Sequence, residues 1–295
     1  MSRFGDALAS GRFVVTAELN PPKGTDLSEV ISKAQSLQGL VDAFNLTDST
    51  GARMAMAPIA AAHLLLERGA EPILQITGRD RNRIAIQAEL LAAAALGIEN
   101  IAVMSGDPPG TGDHPEAKAV FDLEAIGILK AASALAAGHD MAGNALKGTP
   151  RFHLGAVVNP GAKDIDKELQ RLEEKISAGA RFFQTQAIYE PDKFGSFIKR
   201  VEHYRLPFLA GIIVLKSAGM ARNLNQNLPG VFIPEPLIAE LESAPDRTAK
   251  GVEIAARIIR DVRPLCQGVH IMAIGWERHI PAILAQAGVK SVAPS

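Results

Sequence analysis

One pattern recurs along the chain: a helix-like segment, a glycine, a short apolar run, then a polar residue. It is read in "LQGLVDAFNLTD", "LERGAEPILQITG", "LGIENIAVMSGD" and "SAGARFFQTQ". Gly39, Gly69, Gly97 and Gly179 each stand where a helix would end. Glycine takes the left-handed C-cap conformation at low cost, so the chain can stop a helix and drop straight into a strand. The first three recur at roughly 30-residue intervals, the length of one βα unit. The apolar runs are near-continuous rather than alternating, which suits parallel strands covered on both faces. This reading predicts strands over 13–19, 42–47, 72–77, 100–104, 152–158, 181–186, 207–213 and 268–272. Eight strands with intervening helices and no break in composition predict an α/β fold, a single (β/α)8 TIM barrel over 1–295. An open doubly wound sheet is the alternative.

"DRNRIAIQAELLAAAALG" and "DIDKELQRLEEKISAG" have the apolar spacing of amphipathic helices, with Asp80 and Asp164 as predicted N-caps. The stretch 228–265 reads as two extra helices before the last strand. "GDPPGTGDHPEAKAV" (106–120) is too rich in Gly and Pro for a helix, and 137–151 reads as a surface connection. The first of these follows a strand directly, so it lies on the C-terminal face, where barrel enzymes carry their chemistry. A long loop there is a functional candidate.

The 295 residues suit a barrel, which needs about 250. With 31 Lys and Arg against 32 Asp and Glu, the net charge of −1 gives no electrostatic case for nucleic acid or an anionic membrane. The single cysteine, Cys266, cannot form an internal disulfide or a cysteine metal site, and it fits a reducing compartment. The start "MSRFGDALASGRFVV" lacks the apolar core of a secretory signal, and no apolar run nears the ~20 residues that span a bilayer. The expectation is a soluble, cytoplasmic protein.

In a barrel, the strand ends converge on one mouth. That gathers Glu18, Thr47 with Asp48, Gln75 with Thr77, Ser105 with Asp107, Asn159, and Gln184 with Gln186. Each alone reads equally well as a capped loop or a satisfied hydrogen bond. Together they describe a neutral-to-acidic cleft rich in amides and hydroxyls, suited to a heterocycle with many donors and acceptors. Few cations face it, so a phosphate would need backbone N–H groups or a helix N-terminus. No dinucleotide glycine fingerprint, Walker lysine motif or nucleophile elbow is present. His270, Glu277 and His279 match no usual metal-ligand spacing, and no metal is expected. "RDRNR" (79–83) reads as a solvated turn at the start of a helix.

"TAELNPPKG", "LTDSTGARM", "PILQITGRDR", "NIAVMSGDPPG", "KISAGARFFQTQ" and "AGIIVLKS" occur in the order seen in methylenetetrahydrofolate reductases. The chain resembles the short, catalytic-domain-only form of that family from about residue 13 to about 287. The resemblance implies a barrel with non-covalent FAD that reduces 5,10-methylenetetrahydrofolate to 5-methyltetrahydrofolate. It also implies methionine biosynthesis as the setting. The bridging methylene must open to an iminium, and Glu18 holds the position of the acid that protonates N10. A free glutamate titrates near 4.3 and is ionised at neutrality. The role therefore requires a site that favours the neutral form, expected here from burial among Val14, Val15 and Leu19.

The same resemblance makes Asp107 a catalytic and substrate-binding residue near flavin and pterin. Gln186 and Thr47 become substrate contacts. Thr47, Gln75, Ser105, Gly106, Asp107, Val120, Asn159, Glu168 and Lys175 become cofactor contacts, with Glu168 on the ribose and Lys175 on the pyrophosphate. The chain departs from better-known members at Ser105, Gln75, Arg171 and Glu174. Met220 and Leu224 replace a glutamine and an aromatic that serve substrate and nicotinamide stacking. NADH or NADPH as direct donor and an electron-transfer partner subunit are therefore both compatible with the resemblance. A pterin-binding methyltransferase barrel is the other enzyme reading, an accessory subunit the non-catalytic one, and a homo-oligomer is compatible with all.

Overall fold

The computed structural model of the chain describes residues 2–289. Eight parallel strands close into a barrel in sequence order, β1 pairing back with β8. They are β1 (Val14–Leu19), β2 (Ala43–Leu46), β3 (Pro72–Thr77), β4 (Asn100–Met104), β5 (His153–Val158), β6 (Phe182–Ala187), β7 (Phe208–Ile213) and β8 (Gly268–Met272). Around them run α1 (Arg3–Ala9), α2 (Ser28–Ser36), α3 (Pro58–Leu66), α4 (Arg83–Ala95), α5 (Ala125–Ala136) and α6 (Ile165–Ser177). The ring continues with α7 (Pro191–Val201), α8 (Ala218–Asn227), α9 (Glu235–Ser243), α10 (Arg247–Val262) and α11 (Ile280–Gln286). The closed barrel and the extra helices α9 and α10 follow the sequence reading, and every expected strand is present within a residue or so at each end. Strand β2 starts one residue later than expected, and Asp42 just before it accepts the Val15 N–H on its carboxylate at 2.8 Å.

The four C-cap glycines have φ of 75° at Gly39, 78° at Gly69, 79° at Gly97 and 117° at Gly179. Each releases its helix into the next strand, as the repeat requires. Asp164 caps α6, its Oδ1 accepting from the Lys167 N–H at 3.0 Å. Asp80 does not cap α4. Its carboxylate is held by Arg79, and Asn82 accepts from the N–H groups of Ile84 and Ala85 instead.

Side chains alternate along each strand, and the two faces have different fates. Val15, Ala17 and Leu19 join the large cluster shared with the helices. Val14, Ala43, Ile73, Ala102, Phe182 and Leu209 form a separate apolar layer with Phe4, Ala7 and Leu8. The sequence carried no expectation for α1, which closes the floor of the barrel. Its Phe4 is fully buried and meets Phe182 edge-on at 5.2 Å. The Ser2 hydroxyl caps α1 at the Gly5 N–H and also donates to the amide oxygen of Asn100 at the start of β4. Among the described residues no helix is long and apolar enough to cross a membrane.

The floor is tightly fitted. A Cβ on Gly155 would lie 2.2 Å from the ring of Phe182. Gly155→Ala is expected to cost about 1–3 kcal/mol by overpacking. Phe182→Leu in the same chain should recover part of that loss, and a double-mutant cycle in denaturant checks the coupling. His153 packs between Phe4 and Phe182, and burial lowers its pKa to about 4 from the usual 6.5. The unfolded chain accepts the proton that the folded one resists. Stability therefore falls as pH drops from about 6.5 toward 4, and His153→Phe should flatten that part of the stability–pH curve.

Candidate active site

Above the apolar floor the inward-facing positions turn polar. Thr16 and Glu18 of β1, Asn45 of β2, Gln184 of β6 and His270 of β8 point into the barrel axis, where apolar runs would otherwise have continued. Asn45 and Gln184 exchange amide hydrogen bonds across the barrel. Asn45 Nδ2 donates to Gln184 Oε1 at 2.8 Å, and Gln184 Nε2 donates to Asn45 Oδ1 at 3.0 Å. Gln184 Nε2 also donates to the Thr16 hydroxyl at 3.3 Å, and that hydroxyl lies 3.0 Å from Nδ1 of His270. Nε2 of His270 stands 3.8 Å from Oε2 of Glu18.

Glu18 thus sits at the top of this layer, its side chain 16% exposed. The expected enclosure by Val14, Val15 and Leu19 is not what forms. Strand alternation sends Val15 and Leu19 to the helices and Val14 to the floor. The neighbours of Glu18 are polar instead, and His270 is the nearest ionisable group. His270 is 4% exposed and inside the barrel, whereas Glu277 and His279 lie beyond the end of β8. Among the described residues no set of three His, Cys, Asp or Glu side chains could hold a metal.

The loops after β2, β3 and β4 are bound to one another. Gly106 follows β4 with φ of 93°, and a Cβ there would lie 3.0 Å from Thr77 and 3.1 Å from Arg79, so only glycine fits. The next residue, Asp107, is exposed and accepts the Gly51 N–H at 3.1 Å. Further along, Asp113 accepts the Met54 N–H at 2.9 Å and pairs with Lys23 at 2.5 Å. Asp48 accepts from both the N–H and the hydroxyl of Thr77 at 2.8 Å, and Arg81 pairs with it.

Asp80, Asn82 and Arg83 are exposed as the run "RDRNR" implied, but Arg79 is not part of a solvated turn. Arg79 is 2% exposed. It donates to the carbonyl of Ser49 at 3.1 Å, binds Asp80, and accepts the Val120 N–H on its own carbonyl at 2.8 Å. Buried arginine is kept where planar donors must bridge several backbone segments. Arg79, Thr16 and Asn45 escaped the sequence reading. A polar residue set mid-run at period two was the signal available for Thr16 and Asn45.

The remaining predicted residues divide by position. Thr47, 2% exposed, donates its hydroxyl to Asn20 at 2.8 Å. Gln75 is 6% exposed on β3, and Ser105, Gly106 and Asp107 lie at the end of β4 beside it. Val120 is exposed on the β4 loop. A register shift in β6 turns Gln186 so that its Oε1 accepts the Ala187 N–H at 3.0 Å. Asn159 faces a different way. Its side chain meets Gly161 and the carbonyl of Pro229, and its N–H donates to Glu168 at 3.0 Å.

Lys175, on the buried face of α6, is 4% exposed and donates to the Val157 carbonyl at 2.8 Å. Burial pulls its pKa below the ordinary lysine value. Asn159, Lys163, Tyr189, Lys193, Asn225 and Phe232 line part of a cavity of about 870 Å³ on the β5–β7 side of the same face.

A family model described as methylenetetrahydrofolate reductase matches residues 3–288. Methylenetetrahydrofolate reductase 2 of Schizosaccharomyces pombe is 27% identical over 304 residues, covering 96% of this chain and 47% of that protein. A probable methylenetetrahydrofolate reductase (NADPH) of Caenorhabditis elegans is 24% identical, covering 78% of this chain and 34% of that protein. The chain thus spans about half the length of these relatives or less. Among solved structures, a Clostridium thermocellum protein that binds two copies of 5-methyl-5,6,7,8-tetrahydrofolic acid superposes with a TM-score of 0.68 at 16% identity, covering 96% of this chain and 97% of that one. EDTA monooxygenase from Chelativorans sp. BNC1 shares the fold at a TM-score of 0.55 and 11% identity, with 96% of each chain covered. With its model matched from the helix that floors the barrel to the last helix of the ring, the chain belongs to the methylenetetrahydrofolate reductase family.

Proposed function

We propose that this barrel reduces 5,10-methylenetetrahydrofolate to 5-methyltetrahydrofolate, with Glu18 as the general acid. The observation that carries the reading is the inward Glu18, partly enclosed at the barrel mouth beside His270, in a member of this family. A barrel of the same architecture holds a reduced folate in the Clostridium thermocellum protein.

The mouth would receive the ring end of FAD. Gln75, Thr47 and the backbone turn at Ser105–Gly106–Asp107 provide amide, hydroxyl and carboxylate partners for a flat heterocycle. At the other end, Lys175 is buried with its ammonium on the Val157 carbonyl, and Arg171, one turn earlier on α6 and 40% exposed, is the cation placed outward for the diphosphate. Val120, Asn159 and Glu168 complete the proposed cofactor contacts. When bound, FAD would supply the hydride equivalent for the one-carbon unit.

The chain's own groups do the acid and binding work. As the acid, the Glu18 carboxyl gives its proton to N10 as the ring C–N bond breaks, the electron pair leaving with nitrogen. Asp107 accepts paired hydrogen bonds from the amino-pyrimidine edge, its own carboxylate oriented by the Gly51 N–H. Gln186 adds an amide contact whose NH2 remains available while its oxygen is held by Ala187. Cytoplasmic location and a role in methionine supply complete the reading. Met220 and Leu224 of α8 are half-buried against the core, so the aromatic that would stack a nicotinamide has no counterpart at those positions. Electrons reaching the site through a partner protein are the reading this favours.

Glu18→Gln should lower turnover of 5,10-methylenetetrahydrofolate by about 10²–10⁴-fold while FAD is retained and still reduced chemically. Stopped-flow absorbance of the folate half-reaction measures this, and unchanged turnover removes the acid assignment. The purified protein should show a flavin spectrum, and a colourless active protein would favour the methyltransferase reading. Mixed anaerobically with NADH or NADPH alone, the flavin band should bleach slowly. Rapid bleaching would make a partner unnecessary.

A further inference from the structure

We propose that Asn45, Gln184 and Thr16 form a buried relay that sets the tautomer of His270 and so presents an Nε2–H donor to Glu18. This rests on the reading of Glu18 as the acid, and it assigns His270 a positioning role. With the two amides oriented as they stand, the donors run in one direction. The amide pair uses one N–H of Gln184 on Asn45, and the second N–H is directed to the oxygen of Thr16 at 3.3 Å. With that N–H supplied by Gln184, the Thr16 hydroxyl is left to give its own proton elsewhere. Two acceptors are in reach: Nδ1 of His270 at 3.0 Å and the Val269 carbonyl at 3.5 Å. The second distance is at the limit for an O–H donor, so the proton goes to Nδ1. A neutral imidazole that accepts at Nδ1 carries its hydrogen on Nε2, and Nε2 is the atom facing Glu18 at 3.8 Å.

The consequence is directional. An Nε2–H can donate to the carbonyl oxygen of a protonated Glu18, leaving the carboxyl O–H free to face the substrate. The opposite tautomer would offer a bare Nε2, which would capture that O–H and hold it away from N10. As the proton leaves, the new carboxylate accepts the same Nε2–H, so the histidine steadies the product state without giving up a proton. The 3.8 Å separation is long for a hydrogen bond, as catalytic contacts often are before substrate fills the site. A wrong histidine tautomer costs about 10⁴ in kcat where the imidazole itself transfers the proton. Here it acts through Glu18, so a smaller loss of at least about ten-fold is expected.

The test has two readouts. In the uniformly 15N-labelled protein as purified, long-range 15N–1H correlation spectra should report His270, assigned by its loss in His270→Gln, as the Nε2–H tautomer. Thr16→Val removes the hydroxyl donor at Nδ1, so the Nδ1–H form should appear at least in part, and a tautomer that stays wholly Nε2–H would overturn the relay. The same variant should lower kcat of the folate half-reaction at least about ten-fold with KM within about two-fold and with chemical flavin reduction unchanged. Thr16→Ser, which keeps the hydroxyl, should restore both. An Nδ1–H tautomer in the unmodified protein, wild-type kcat in Thr16→Val, or no rescue by Thr16→Ser would each overturn the relay. If instead Glu18→Gln turns over normally while the tautomer results hold, the relay stands as structure and the acid assignment fails.

Discussion

Everything above the floor of this barrel depends on the reciprocal amide pair between Asn45 and Gln184. The two residues stand on strands on opposite sides of the barrel, and each would leave a buried amide unsatisfied without the other. An orphaned group of that kind costs about 1–3 kcal/mol. The pair meets through the axis, where apolar side chains would otherwise have continued the packed floor. It therefore marks where the apolar interior ends and the polar layer begins. Thr16 and His270 extend the same network toward β1 and β8, and Glu18 is the next residue outward.

The rim depends on a second polar device. Arg79 reaches the β2 loop through the Ser49 carbonyl, lies against Gly106 after β4, and holds Val120 by its own carbonyl. A charged side chain 2% exposed is costly to bury, and it is retained where several segments must keep one spacing. The three loops so joined carry Thr47, Asp107 and Val120. Losing the guanidinium would remove its tie to the β2 loop, while the backbone bond to Val120 and the Asp107–Gly51 and Asp48–Thr77 bonds would remain. The site is thus built from an inner layer that fixes depth and an outer arginine that fixes the mouth.

Much of the fold was legible in the chain. The glycine-punctuated repeat located the strands because a helix that must end abruptly and feed a parallel strand needs a left-handed residue at its last position. Gly106 was recognisable in "SGDPPG", although the reason it must be glycine, contact with Thr77 and Arg79, lies in other strands. The floor was not legible. Helix α1 has seven residues and little pattern of its own, and only the open base of a finished barrel gives Phe4 its place. Arg79 was misjudged for a related reason. A run of charges next to a helix start is usually solvated, and its burial follows from three loops arriving at the same point.

The order of the strands, their near-continuous apolar character and the polar residues at their ends were written in the amino-acid sequence, because helix stops and strand periodicity are local properties. Resemblance along nearly the whole chain added the family. Tertiary structure alone decided which polar residues face one another. Thr16, Asn45, Gln184 and His270 are separated by up to 254 positions and become neighbours only when eight strands close with a particular stagger. Hydrogen bonds act over about 3 Å, so the surroundings of Glu18 were set by that closure and not by the residues beside it in the chain.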